Sequence, residues 1–141
     1  MLERDMRKQL VKLLQPLGAF AVENGGCHPG TPDIAFVGGW IECKATEQWP
    51  ARADTPVRLD HGLSRQQRIW LVKWYRVNGR AFVMLNIAGE WLLFDGIVAA
   101  SYLGGKEGGT RQELHEAALK VWDRTPKTEE LLPLLESDDP A

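Results

Sequence analysis

Two short runs, Gly30-Thr31-Pro32-Asp33 and Ile41-Glu42-Cys43-Lys44, flank Val37-Gly38-Gly39-Trp40 and tie two carboxylates and an amine to one hairpin. The spacing predicts a tight turn at Gly38-Gly39, because glycine accepts the positive φ that a two-residue hairpin turn demands. Val37 then faces Trp40, Ala35 faces Glu42 and Asp33 faces Lys44. Side chains of a strand alternate, so Asp33, Glu42 and Lys44 share one face, while Ile34, Phe36, Ile41 and Cys43 take the other.

Two acids and a lysine on one face suit a hard cation. Mg2+ takes oxygen ligands, keeps several waters and is commonly held by one or two carboxylates together with substrate phosphate. Asp33 and Glu42 meet that demand, for Mg2+ or Mn2+. Lys44 is placed to position or help deprotonate an attacking water, or to offset charge on the phosphorus centre. The chemistry implied is phosphodiester hydrolysis. A plainer reading stands beside it: Glu-x-Lys on an exposed strand is often only a solvated ion pair. The added Pro-Asp and the matching register favour the metal site.

On Pro32-Asp33 and Glu42-Cys43-Lys44 the chain resembles the PD-(D/E)XK nuclease superfamily, in particular its small members, the VRR-NUC type and archaeal Holliday junction resolvases, some encoded by phages. The resemblance runs from about Glu3 to about Ile87. It implies an α/β fold with a mixed central sheet flanked by helices in a restriction endonuclease-like αβββαβ core, spanning residues 1–100. A glycine-rich linker and C-terminal helices over 101–141 then form an appendage to the same domain. It also implies an endonuclease acting on DNA, in the form of a homodimer that cuts junctions, flaps or nicked strands. A catalytically silent DNA-binding or assembly module and an RNA-directed nuclease are the competing readings.

Other segments bear on the same site. Met6, Leu10, Val11, Leu13 and Leu14 recur at helical spacing from Glu3 to Gln15, and Glu3 falls within the apolar arc, pointing inward from the first turn. Related nucleases carry a helix glutamate that reaches the metal or its waters, and Glu3 is the candidate. Arg7 stands where the VRR-NUC pattern has that glutamate. The alternative is that Glu3 only complements the helix dipole. Further on, Leu63-Ser64-x-x-Gln67 has the form of a capping box opening a helix to about Val77. Gln67 projects into the apolar arc, and the resemblance makes it a site residue as well as a cap. Trp70, Leu71, Trp74, Tyr75 and Val77 form that arc, and its tryptophans are expected to build core.

The chain carries 17 Lys and Arg against 19 Asp and Glu, a net charge of −2, which is low for an enzyme that meets phosphates. The distribution is uneven, however. Residues 1–80 hold 12 basic against 8 acidic side chains, and residues 81–141 hold 5 against 11. The half with the motif is therefore basic. In the irregular stretch from Ala45 to Gly62, Arg52, Arg58 and His61 are candidates for backbone phosphates, and Trp49 for stacking on a base or folding onto the body. Arg65 and Arg68 on the next helix are further phosphate candidates.

Arg80 to Ile87 and Glu90 to Phe94 read as strands, and Thr110-x-x-Glu113 opens a helix to about Asp123. Thr128 is placed to cap a last short helix. Cys27 and Cys43 are the only cysteines and read as free thiols, without the paired spacing of a zinc site. No apolar run is long enough to span a bilayer and no secretory segment opens the chain, so a cytoplasmic protein without a membrane partner is expected.

Overall fold

The computed structural model describes residues 1–22, 29–59, 62–104 and 108–136. His61 and Cys27 lie outside them. Helix α1 (Glu3–Leu13) runs into a 3-10 turn at Gln15–Leu17, where Pro16 and the left-handed Gly18 stop it. Strands β1 (Phe20–Ala21), β2 (Ile34–Phe36) and β3 (Gly39–Thr46) follow. After a long connection come α2 (Arg65–Arg76), β4 (Ala81–Ile87), β5 (Glu90–Asp95), α3 (Gly96–Tyr102), α4 (Arg111–Ala117), β6 (Lys120–Trp122) and α5 (Thr128–Leu135).

The six strands form one sheet in chain order, and only β3 and β4, joined through α2, run parallel. The class is thus the expected α/β, a mixed sheet flanked by helices, and α1-β1-β2-β3-α2-β4 repeats the expected core order. Alternation along the strands gives the sheet two apolar faces. Ile34, Ile41, Cys43, Met84 and Leu93 pack with Met6 and Leu10 of α1 and with Leu131 and Leu135 of α5. Val83, Leu85, Leu92 and Phe94 pack instead with Leu71 of α2, Ala99 of α3 and Leu114 of α4. Burying each leucine contributes about 1.5–3 kcal/mol, so the C-terminal helix is part of what holds α1 on the sheet.

Three local expectations are corrected. The hairpin turns at Val37-Gly38, with Ile34 opposite Ile41, Ala35 opposite Trp40 and Phe36 opposite Gly39. Gly38 carries the positive φ, +102°, while Gly39 is needed inside the strand, where a Cβ would lie 2.8 Å from the Phe36 ring and from the Arg80 carbonyl oxygen. The register shifts by two, which leaves each side chain on its expected face. The helix from Thr110 ends at Ala117, because Leu119 N donates to Leu93 O at 2.7 Å and Lys120–Trp122 joins the sheet as β6. The cap position of α5 is Lys127, whose N–H donates to Glu130 Oε1 at 3.0 Å. Thr128 lies within the helix and donates its hydroxyl to Leu13 O at 2.7 Å, tying α5 to the end of α1.

Candidate metal centre and its surroundings

Beyond Ile41 strand β3 outruns β2, and the N–H groups along that edge would be left without a strand partner. Two carboxylates fill the gap. Cys43 N donates to Asp33 Oδ2 at 3.0 Å, and Ala45 N donates to Glu3 Oε1 at 3.3 Å. Continuing the hairpin register sets Asp33 beside Glu42 rather than Lys44, and the two carboxyl groups share a hydrogen bond. Glu42 is 3% exposed and Lys44, next on the same face, 5%. Asp33 is the open side of the group, with 21% of its side chain exposed.

Burial, the hydrogen bond that protonated Glu42 donates to Asp33 and the Asp33 charge push the Glu42 carboxyl up to about 10, with Lys44 opposing and Glu3 adding to the rise. Burial and a neighbouring carboxyl both disfavour the charged form of Glu42, and only Lys44 offsets them. Glu42 Oε2 is buried and has no hydrogen-bond partner among the described residues. A buried carboxylate oxygen left over beside a second carboxylate is a donor set that fits Mg2+ or Mn2+, which needs few protein ligands. Among the described residues no group of three or more His, Cys, Asp or Glu side chains is gathered as a metal cage. Glu3 is tied to this edge by its bond from Ala45 N, and Asp33 and Glu42 are the two carboxylates that could hold a cation. Burial also pushes the Cys43 thiol up, reinforced by Asp33 and Glu42, which makes it a poor nucleophile.

Arg7 was not foreseen as a site residue. Its Nη1 lies 3.9 Å from Asp33 Oδ1, so a guanidinium one helical turn after Glu3 flanks the open side of the pair. The sequence signal was its spacing from Glu3, which puts both on one face of α1.

Helix α2 brings its first turn against the loop that carries Asp33. Gly30, at φ +88°, lies so close that a Cβ would meet Gln66 O at 2.4 Å and Gln67 N at 2.9 Å. The capping box forms: Gln67 N donates to Ser64 Oγ at 3.1 Å, and Ser64 N donates to Gln67 Oε1 at 2.9 Å. The Gln67 carbonyl oxygen is thus engaged in the cap, and its amide nitrogen is the end left for a site role.

The basic candidates separate into two places. Arg65 and Arg68 line a cleft of about 570 Å3 between α2 and α3, with Lys73 and Arg76. Arg68 lies partly within it, its stem against Gly104 and its Nε buried without a partner among the described residues. Arg52 and Arg58 are exposed on the connection after β3, and no described contact joins them to Asp33 or Glu42. Trp49 of that connection folds onto the body: its indole N–H donates to Glu90 Oε2, and the Arg111 guanidinium covers its ring at 4.8 Å. Tyr75 and Val77 of the expected apolar arc are exposed, Val77 by 73%, and in α2 only Leu71 is fully covered.

No protein-family model matches the chain, and no curated protein matches it. Among solved structures it is similar to Hjc, a Holliday junction resolvase from the archaeal hyperthermophile Archaeoglobus fulgidus, with 22% identity and a TM-score of 0.49 over 83% of this chain and 93% of that one. No helix among the described residues is long and apolar enough to cross a membrane.

Proposed function

We propose that the protein is a divalent-cation-dependent endonuclease that hydrolyses phosphodiester bonds in DNA. The observation that carries this reading is the Asp33–Glu42 pair, two hydrogen-bonded carboxyls with a buried oxygen of Glu42 left unpartnered and Lys44 buried on the same face. Asp33 and Glu42 hold Mg2+ or Mn2+, which when bound supplies Lewis acidity at the phosphoryl oxygens and a more acidic water.

The rest is done by the chain's own residues. Lys44 places its ammonium beside the pair, where it orients the water and offsets the charge that grows on the phosphoryl oxygens. Arg7 on the open side meets the incoming phosphate. Glu3 holds Ala45 N and so fixes the end of β3 that carries Lys44. Gln67 braces the start of α2 against the Asp33 loop, and Arg65 and Arg68 track the backbone with the looser help of Arg52 and Arg58. A preference for junctions, flaps or nicked DNA, and action as a homodimer, extend the proposal on the strength of the PD-(D/E)XK resemblance in Asp33, Glu42 and Lys44.

The test is cleavage of labelled single-stranded, duplex, nicked, flap and four-way-junction DNA in Mg2+, Mn2+ or EDTA, with Asp33→Ala and Lys44→Ala as controls. Cation-dependent cutting lost in both folded variants supports the reading. Folded wild type that cuts no DNA in either cation overturns it, and cutting of matched RNA alone would then redirect the same chemistry to the other backbone.

A further inference from the structure

Six tryptophans divide sharply by environment. Trp91 is buried in the core, and Trp122 and Trp49 donate their indole N–H groups to Glu130 and Glu90. The other three gather in one place, half-buried, and among the described residues none of their indole N–H groups has an acceptor. Trp70 and Trp74, one turn apart on α2, stack with ring centroids 4.8 Å apart and planes 23° from parallel. Trp40 of β3 meets both edge-on, at 5.4 and 5.8 Å. Trp74 is seated on Gly79, where a Cβ would lie 2.1 Å from its ring, so the cluster has a fixed back wall. Together with Thr31, Gln66 and Lys73 the three rings line an open cleft of about 630 Å3, a volume in the range of small-ligand sites.

The position of this cleft identifies what it takes. Trp40 lies two residues before Glu42 on the same face of β3, about 7 Å along the strand, and Thr31 lies two residues before Asp33. On the other side of α2 the cleft adjoins the cationic groove of Arg65, Arg68 and Arg76, with Lys73 and Ile69 common to both. An aromatic recess between a phosphate-hydrolysing site and a row of cations matches a polyanionic strand that carries flat apolar rings. We propose that Trp40, Trp70 and Trp74 form a stacking pocket for an unpaired nucleobase of the DNA strand engaged at Asp33 and Glu42. The inference rests on the proposed endonuclease reading for its ligand class. Stacking on indole is tolerant of sequence because every base has a π face, so the pocket selects strands with an unpaired base rather than a particular base. This gives a physical source for preferring branched or nicked substrates over continuous duplex.

The experiment measures binding in EDTA, by fluorescence anisotropy, of an oligothymidylate and of a fully abasic oligonucleotide of the same length, which keeps the phosphates and removes the rings. Wild type is expected to bind the base-bearing strand about 10-fold more tightly than the abasic one. Trp70→Leu and Trp74→Leu, each checked for folding by circular dichroism, are expected to erase that difference while leaving abasic binding unchanged. Equal binding of the two strands by wild type overturns the pocket, without depending on how the variants fold. Concentration-dependent burial of these tryptophans in DNA-free protein also overturns it, assigning the cleft to a second copy of the chain. Because no cation is present, absence of cleavage elsewhere would refute the endonuclease reading and leave this result standing. Cleavage by a protein indifferent to bases would refute the pocket alone.

Discussion

At the scale of single residues, the site depends on positions where the backbone leaves no room and on charges that have no solvent. Gly30 is the clearest of the first kind. Its positive φ, and the 2.4 Å at which an added Cβ would meet Gln66 O, mean that Gly30→Ala must push the Asp33 loop away from α2. Such overpacking costs about 1–3 kcal/mol, read as a lower urea midpoint, and DNA cleavage is expected to fall by more than the loss of folded protein explains. Glu42 is the clearest of the second kind. Glu42→Gln keeps the shape and removes a buried acid, so stability is expected to stay within about 1 kcal/mol of wild type. Cation-dependent cleavage, by contrast, should drop by roughly 100-fold or more. Asp33, Glu42 and Lys44 were legible together in the sequence because a period of two survives a register error of two. The wrong turn came from reading Gly38-Gly39 as a unit. What demands Gly39 is the Phe36 ring and the Arg80 carbonyl, contacts a local pattern does not contain. The Arg7–Asp33 approach joins distant segments too, and only the spacing of Arg7 from Glu3 pointed to it.

At the scale of elements, helix α2 links the site to the sheet. Its start was legible as Ser64-x-x-Gln67, since a capping box is a local structure with a local signature. Ser64→Ala removes the acceptor for Gln67 N and is expected to cost about 1 kcal/mol in chemical denaturation. If Gln67 acts only as a cap, Gln67→Ala repeats that loss and leaves cleavage per folded molecule unchanged. If its amide serves the site, cleavage falls further. The far end of α2 was misread. Apolar spacing puts Tyr75 and Val77 on one arc with the tryptophans, yet the sheet beneath is already covered by Leu71 and α3, and both side chains remain in solvent. Likewise, the helix expected to run to about Asp123 stops at Ala117, because Lys120–Trp122 pairs with β5 as β6. A strand recruited by a partner 27–31 residues away depends on a contact that no local pattern contains.

At the scale of the whole molecule, the last third is bound into the same structure as the motif-bearing part. Strand β6 closes the sheet, and α5 covers the face on which α1 lies. Glu130 clasps these pieces: it accepts from Trp122 Nε1 at 3.1 Å, from Lys127 N at 3.0 Å and from Arg124 at 2.8 Å. Chiefly the Arg124 pairing, then the Lys127 N–H, holds its carboxyl down to about 2, against an ordinary value of 4.5. A depressed folded-state pKa stabilises the fold above the unfolded value, and this contribution is lost as pH falls from about 4.5 toward 2. Thermal midpoints of wild type should therefore decline through that window, and Glu130→Gln should flatten the decline. The C-terminal helices were legible as helices from their periodicity, but their docking on α1 was not, because Thr128 and Leu13 are far apart in the chain. The central claim is that Asp33 and Glu42 form a divalent-cation site, and titration calorimetry with Mn2+ tests it most directly. The account predicts saturable Mn2+ binding to wild type that is lost in folded Asp33→Asn and Glu42→Gln. Binding unchanged in both variants, or none in wild type, would contradict it.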